Sequence, residues 1–352
     1  MAGVGRWAPI PPAPLQARIF PATVWTGREL VVVGGRPCAV GRCEDESVPP
    51  FADGAAYDPS AGTWRPIAVP PLAPRTGAST VWTGTEMLLW GGNGPNEQPL
   101  TDGAAYDPVA GAWRPMAASP LGTRTFRAVW TGREMLAWGS REGTDDQVDG
   151  AAYDPAADSW RLLATSPLTA RNLAAGDWTG TEVLLWGGQA GLQYLADGAA
   201  YNPTTDTWRP MAPSPLGPRA TRGFWTGSQL VIWGGEGPEV AFDDGAAYDP
   251  AADSWTLLPD APIVERRGFA AAWTGADMVV WGGAAATGTS FYGNGAIYNP
   301  ASRSWRRIAP AAPRFIPSAH WTGRQLLVWG GLVFPAGATA VEPINDGAVF
   351  TP

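Results

Sequence analysis

Short apolar runs alternate with turn-forming residues along the whole chain. Thr76 to Trp82 and Glu86 to Trp90 are two such runs, separated by Thr83-Gly84, and Gly91-Gly92 closes the second. Runs this short, broken by Gly, Pro, Asp and Thr, predict β-strands joined by tight turns, because a helix would need a longer uninterrupted pattern. The 352-residue chain is therefore predicted to be all-β, with no helix required.

The strand pattern repeats seven times, about every 48 residues. Each unit predicts four strands, a to d: a run ending in Trp-Thr-Gly, a run ending in Gly-Gly, a strand Gly-Ala-Ala-Tyr, and a last strand with a Trp. The Trp-Thr-Gly steps begin at Trp25, Trp82, Trp130, Trp178, Trp225, Trp273 and Trp321. The matching Tyr steps are Tyr57, Tyr106, Tyr153, Tyr201, Tyr248 and Tyr298, with Phe350 in the last unit.

These elements in this order resemble the kelch repeat. The units have an Arg before strand a, Gly-Gly after strand b, Tyr-Asp or Tyr-Asn in strand c (Phe350-Thr351 in the last unit) and a Trp in strand d. The resemblance covers essentially the whole chain, and its departures are small: Gly139-Ser140 replaces Gly-Gly in the third unit, and Asn294 replaces Asp in the sixth. It implies a seven-bladed β-propeller of four-stranded antiparallel blades around a central channel.

The two ends of the chain are predicted to share one blade. The last unit stops after strand c, and Gly5 to Ile10 match the strand d pattern around Trp113. Such a 3+1 closure removes the exposed sheet edges of an open array. One domain is expected over residues 1–352, with blades at about 14–70, 71–119, 120–167, 168–215, 216–262, 263–312 and 313–352 plus 1–13.

Residues that recur in every blade are interpreted as structural, and unrepeated ones as candidates for function. All 20 Trp residues recur: seven in Trp-Thr-Gly, seven in strand d and six at the end of strand b. They are predicted to pack between blades, which argues against a carbohydrate platform built of Trp.

Every one of the 24 basic residues is Arg, which reflects the composition of the genome more than function. An Arg opens strand a, and an Asp opens strand c at the same face of the blade. The favoured interpretation is a recurring, partly buried ion pair. The alternative is a positive ring at the channel mouth, which some kelch propellers use for acidic peptides. The basic residues are Arg18, Arg75, Arg124, Arg171, Arg219, Arg266 or Arg267, and Arg314. The acidic ones are Asp53, Asp102, Asp149, Asp197, Asp244 and Asp346, with Asn294 as the exception.

Strand a is expected to line the channel, and aligning its seven copies singles out four residues. Arg127 and Arg222 stand three positions before the Trp of blades three and five, whereas Asp177 and His320 stand one position before it in blades four and seven. The pattern predicts a charged cluster of Arg127, Asp177 and Arg222 on one side of the channel. It is either an internal network or a site for a bound anion.

His320 is the only His of the chain. A copper site of the galactose oxidase type needs two His ligands, and common zinc sites want several His or Cys, so no metal or cofactor is predicted. His320 is interpreted either as a structural residue or, with Asp177, as a catalytic candidate that moves a proton.

The loops between strands b and c are longest in the neighbouring blades one and seven, at residues 36–52 and 332–345. Variable loops at one face of a propeller are the usual place for binding. Phe334, Tyr292 and Tyr194 are candidate ligand contacts, although aromatic residues before strand c can simply seal a loop onto its blade. Arg141 is a further candidate, in a loop that is otherwise acidic and solvated.

Cys38 and Cys43 are the only cysteines, and both lie in the blade one loop. A disulfide between them is favoured over two free thiols, and it would suit an exported protein. No signal peptide is visible at the N-terminus, so a leader would have been removed. Export is slightly favoured over the cytoplasm.

Charge and hydropathy exclude several partners. The net charge of −8 and the pI near 4.8 argue against nucleic acid, which requires a basic face. No apolar run is long enough to span a membrane. A monomeric ring is expected.

Two functions remain open. The first is a binding scaffold that recognises a protein, peptide or glycan through the loop face of the propeller. The second is an enzyme in the channel, an epimerase or mutarotase acting on a small anionic or sugar-acid substrate. Arg127 and Arg222 would hold its carboxylate, as the resemblance to kelch propellers that act on sialic acids implies.

Overall fold

The protein is a seven-bladed β-propeller. A computed structural model describes residues 3–38, 48–122, 125–140, 150–335, 337–338 and 340–352, with the backbone alone at 125–127 and 140. Seven four-stranded antiparallel sheets follow one another along the chain. The predicted all-β propeller is confirmed.

Strands a and b form the inner half of each blade. Strand a spans Ala22–Trp25, Ser79–Trp82, Thr125–Trp130, Ala175–Trp178, Gly223–Trp225, Ala270–Trp273 and Ser318–Trp321 in blades one to seven. Strand b spans Leu30–Val33, Met87–Trp90, Met135–Ser140, Val183–Trp186, Leu230–Trp233, Met278–Trp281 and Leu326–Trp329.

Strands c and d form the outer half. Strand c spans Gly54–Asp58, Gly103–Asp107, Gly150–Asp154, Gly198–Asn202, Gly245–Asp249, Gly295–Asn299 and Gly347–Thr351. Strand d spans Thr63–Pro66, Ala112–Pro115, Ser159–Leu162, Thr207–Pro210, Ser254–Leu257 and Ser304–Ile308, with Arg6–Ile10 in blade seven.

The loops after strand b carry small elements of their own. Short hairpins pair Gln189–Ala190 with Gln193–Tyr194, Glu236–Gly237 with Val240–Ala241, and Leu332–Val333 with Glu342–Pro343. A single 3₁₀ turn, Pro95–Glu97, lies in the loop of blade two. In the described part of the chain, no helix has the length and apolarity needed to cross a membrane.

Side-chain hydrogen bonds fix the turns at one face. In blade one, the Thr26 hydroxyl accepts the Glu29 N–H at 2.9 Å, and Gly27 takes a positive φ of 86° that other residues avoid. Asp58 accepts the Ser60 N–H at 2.7 Å and so starts the turn into strand d. We call this side, with the a–b hairpins and c–d turns, the turn face. The opposite side, with the b–c loops and d–a connections, is the loop face.

The chain ends close the ring as predicted. Arg6–Ile10 pairs antiparallel with Gly347–Thr351 and places Trp7 opposite Phe350. The Trp7 indole N–H donates to the Ala309 carbonyl of blade six at 2.8 Å. The N-terminal strand is therefore held by its own blade and by the preceding one.

The core lies between the blades. Seven apolar clusters each combine residues of two neighbouring blades, and one of them joins blades seven and one. Where strand b ends in Trp, its ring contacts the strand d Trp of the next blade, as Trp90 contacts Trp160 with ring centroids 5.4 Å apart. Blade one has Val33 at this position. The tryptophans therefore pack between blades, as their repetition predicts.

Candidate functional site

The positions that the alignment of strand a singled out lie at the inner ends of the blade interfaces. Val24, Val81 and Val129, one residue before the Trp, are at most 9% exposed. Val24 belongs to a cluster with Met87 and Leu89 of the following blade. Side chains at this position therefore point toward the next blade more than into open space.

Asp177 joins blades four and five. One carboxylate oxygen accepts the N–H of Trp178 at 2.8 Å, and the other accepts the N–H of Trp225 in blade five at 2.9 Å. Both oxygens thus have structural hydrogen bonds, which leaves Asp177 a weak candidate for proton transfer.

His320 joins blades seven and one. Its Nε2 lies 2.9 Å from the Thr23 hydroxyl, and the side chain is half-buried. Burial, and to a smaller extent the positive charge of Arg222, lowers the pKa of His320 to about 4. The imidazole is therefore neutral at pH 7, and its pKa lies far from the near-neutral value that suits a proton shuttle.

Arg222 lies at the loop-face end of strand a in blade five and is exposed. Its positive charge is the smaller of the two causes that lower the pKa of His320, after burial. Of Arg127 only the backbone is described, opposite Trp138 in the sheet of blade three. An anion site formed by Arg127 and Arg222 therefore stays a prediction.

The Arg before strand a is buried and bonded in each blade where its side chain is described. The Arg side chains of the five ion pairs are at most 8% exposed, whereas their Asp partners are 50–56% exposed. In blade one, Arg18 donates to both Asp53 oxygens at 2.8 and 3.3 Å and to the Gly34 carbonyl at 2.9 Å. These guanidinium groups hold strands a, b and c together and do not form a positive ring open to solvent. Arg124 and Asp149 lie outside the described residues.

Aromatic residues two positions before strand c's opening Asp or Asn cover these buried arginines. Phe51 lies over Arg18, Phe242 over Arg219 and Tyr292 over Arg266, with 3.7–4.7 Å from the guanidinium carbon to the ring centroid. Tyr292, predicted as a ligand contact, therefore seals its own blade in this structure.

A polar cluster crosses three blades on the loop face. Arg267 of blade six donates to Glu236 of blade five at 3.1 Å, and both groups are about one-third exposed or less. Tyr194 of blade four lies beside them: desolvation and then the Glu236 charge raise the pKa of its hydroxyl. The predicted ligand contact Tyr194 thus lies next to a charged pair. We call the loop-face surface formed by Tyr194, Glu236, Arg267 and the aromatic residues Phe291, Phe315 and Phe334 the rim.

An aromatic cluster continues the rim toward blade seven. Phe291 stacks on Phe315 with centroids 5.2 Å apart and contacts Phe334 at 4.5 Å. The guanidinium of Arg267 lies 5.2 Å from the Phe315 ring. Phe334 also lines a pocket of about 860 Å³, and the described lining residues, such as Thr289 and Val341, carry no charge.

Sequence reasoning missed Glu236 and did not choose between Arg266 and Arg267. In every blade except blade three, the residue after the strand a Arg pairs with the residue after Gly-Gly, as Arg267 does with Ala284 and Ala220 with Glu236. These positions hold unrelated residues from blade to blade. Aligning them as strand a was aligned would have identified the rim.

Two predictions fall partly or wholly on residues that the structure does not describe. Cys43, the proposed partner of Cys38, and the candidate contact Arg141 both lie in the omitted ranges. The Cys38–Cys43 disulfide and the role of Arg141 therefore stay predictions.

Comparisons with known proteins define no family for this chain. No protein-family model matches it, and no characterised protein has a significantly similar sequence. The class of protein is defined by its architecture, a seven-bladed β-propeller.

Proposed function

We propose that this protein is a kelch-type recognition scaffold that binds a protein, peptide or glycan through the loop face of blades four to seven. The observation that carries the proposal is the row of contacts from Glu236 through Arg267 to the Phe291–Phe315–Phe334 cluster, with Tyr194 near enough for the Glu236 charge to raise its pKa. Propellers commonly serve as binding scaffolds, but the fold alone does not fix a function.

The composition of the rim supports recognition of a ligand with an apolar or ring-shaped group. Aromatic residues and Arg carry much of the energy of protein interfaces, because they bury large surfaces and make directional contacts. The pocket beside Phe334 offers an uncharged cavity for such a group, while Arg267 and Glu236 supply hydrogen-bonding groups elsewhere on the loop face. The position of the rim shifts the expected binding site from blades seven and one toward blades four to seven.

The order of motif elements in each unit supports the kelch assignment. Arg, Gly-Gly, Tyr and Trp occupy equivalent places in the sheets, and the Arg pairs with strand c in five blades. These contacts explain why the motif recurs.

A peptide-display library and a glycan array, each probed with the wild type and with Phe334→Ala, test the proposal. We expect the ligands that the wild type selects to bind Phe334→Ala at least about tenfold more weakly. Val109→Ala is the matched control, because Val109 is 96% exposed on the turn face and should not contact the ligand. Ligands that bind Phe334→Ala as tightly as the wild type, or no selected ligand at all, would refute the proposal.

The enzyme alternative receives less support, since Asp177 and His320 are engaged in contacts between blades. Titration calorimetry with N-acetylneuraminic acid distinguishes the two functions. A channel enzyme for sugar acids should bind it and lose that binding in Arg222→Ala. Under our proposal the wild type does not bind it in the channel, and Arg222→Ala leaves selection by the loop face largely unchanged.

A further inference from the structure

The turn face contains a pocket at the seam where the ring closes. It has a volume of about 460 Å³ and lies between blades seven and one. Its described lining includes the three arginines Arg6, Arg28 and Arg324, together with Trp25 and the hydroxyl residue Ser60, but no carboxylate. Such a concentration of positive charge is unusual on a chain with a net charge of −8.

A departure from the repeat explains why Arg324 has no acidic partner among the residues that the structure describes. Arg28, Arg133 and Arg324 occupy the same place in the a–b hairpins of blades one, three and seven. Arg28 pairs with Asp58 at 3.5 Å and Arg133 with Asp154 at 3.6 Å, both at the end of strand c. Blade seven has Thr351 at that position.

Blade seven also lacks the Glu that precedes strand b in blades one to four. Blades one to four have a Glu before strand b that holds the Arg of strand d, as Glu86 holds Arg114 at 2.7 and 2.9 Å. Blade seven has Gln325, which donates to the Thr351 hydroxyl at 2.8 Å. Two neutral side chains thus bond each other where other blades carry acids.

Arg6 adds a positive charge that the repeat does not predict. It precedes the strand d Trp, where the other six blades have a Thr, Ser or Ala, and it lies opposite Thr351 in the sheet. Within the part of the chain that the structure describes, neither Arg6 nor Arg324 forms an ion pair.

We propose that this seam pocket binds a small phosphate monoester. Arg guanidinium groups bind phosphate oxygens through paired, charge-assisted hydrogen bonds, and the two positive charges of Arg6 and Arg324 match a dianionic group, with Arg28 beside them paired to Asp58. The pocket is larger than one phosphate needs, and Trp25 offers a flat apolar wall for an attached organic group. Because Arg6 belongs to the N-terminal strand, the ligand would also connect the two chain ends.

Titration calorimetry at low salt with phenyl phosphate as the probe tests the proposal. Arg324→Thr and Arg6→Thr introduce residues that the repeat uses at these positions, and each should weaken binding about tenfold or more. Thr351→Asp should weaken it as well, by restoring the carboxylate that pairs with the hairpin Arg. Arg133→Thr is the matched control and should leave the affinity unchanged, since Arg133 belongs to blade three and is 82% exposed.

Inorganic phosphate should bind more weakly than phenyl phosphate, because it lacks the group that would contact Trp25. Far-UV circular dichroism of each variant confirms that the blades remain folded. The proposal would be overturned if the wild type did not bind phenyl phosphate saturably, or if Arg133→Thr weakened binding as much as Arg324→Thr. Equal affinity for inorganic phosphate would overturn the part assigned to Trp25.

Discussion

Asp177 and His320 connect neighbouring copies of strand a where the other five blades use apolar side chains. A buried polar group is costly unless it finds a partner, and each of these residues has one on the next blade. The partner of Asp177 is the Trp225 N–H, and the partner of His320 is the Thr23 hydroxyl. An unrepeated side chain can therefore be structural when the next blade offers it a hydrogen-bonding partner.

The pH dependence of stability follows from His320. Its pKa is lowered from 6.5 to about 4, so between these values the unfolded chain binds a proton that the native protein does not. Stability contributed by the neutral imidazole is complete above pH 6.5 and is lost as the pH falls toward 4. We expect this loss to be about 3 kcal/mol at most, and less where channel water screens the charge.

Because the chain has a single His, one imidazole NMR signal reports the folded pKa directly. Urea denaturation between pH 6.5 and 4 measures the stability, with His320→Gln as the control that retains a hydrogen-bonding group but does not titrate. Carboxylates titrate in both proteins, so only the difference between them is attributed to His320. An NMR signal that titrates near pH 6.5 would contradict this account. The same pH dependence of the free energy of unfolding in both proteins would contradict it as well.

At the scale of strands, the buried Arg is the element that ties a, b and c into one blade. It donates to the residue before strand c and, in blades one, two, four, six and seven, to a backbone carbonyl after strand b. Arg171, for example, donates to Asp197 at 2.6 Å and to Gly187 at 3.2 Å. Blade six retains this geometry with an amide: Arg266 donates to Asn294 Oδ1 at 3.0 Å. Without the negative charge, burial lowers the pKa of Arg266 to about 10.

Asn294→Asp should therefore stabilise the protein. The new carboxylate would sit where the other six blades have an Asp, and it would compensate the buried guanidinium. We expect a gain of about 1 kcal/mol, because the acidic side chain stays partly exposed. The urea midpoint should rise, and Asp197→Asn should lower it by a similar amount as the reciprocal control. A midpoint for Asn294→Asp at or below that of the wild type would contradict the interpretation.

How far the sequence predicts structure differs between strands and loops. Strand bounds were predictable because Thr-Gly, Gly-Gly and Asp-Pro mark turns whose hydrogen bonds are local, such as Thr26 to Glu29. The rim was not, because Arg267 and Glu236 come from different blades and meet only once the ring has formed. For the same reason, the sequence could not tell the aromatic residues that cover the buried arginines from residues that contact a ligand.

At the scale of the whole molecule, stability depends on seven interfaces between blades. The cluster between blades seven and one contains Ile10 and Leu15 from the N-terminal segment together with Leu327 from the last blade. The cluster between blades six and seven contains Phe350, with Trp7 packed against it. The first residues of the chain thus contribute to two of the seven interfaces.

Removal of residues 1–10 should consequently destabilise the entire ring. The deletion exposes the edge of Gly347–Thr351 and removes Trp7, whose ring lies 4.6 Å from that of Trp281. We expect a thermal midpoint lower by roughly 10 °C or more, with oligomers in size-exclusion chromatography, and recovery when a peptide of residues 1–12 is added. Deletion of Pro352, which is exposed and follows the last strand, is the control and should have little effect. If the truncated protein melted with the wild type and stayed monomeric, the N-terminal strand would not be what closes the ring.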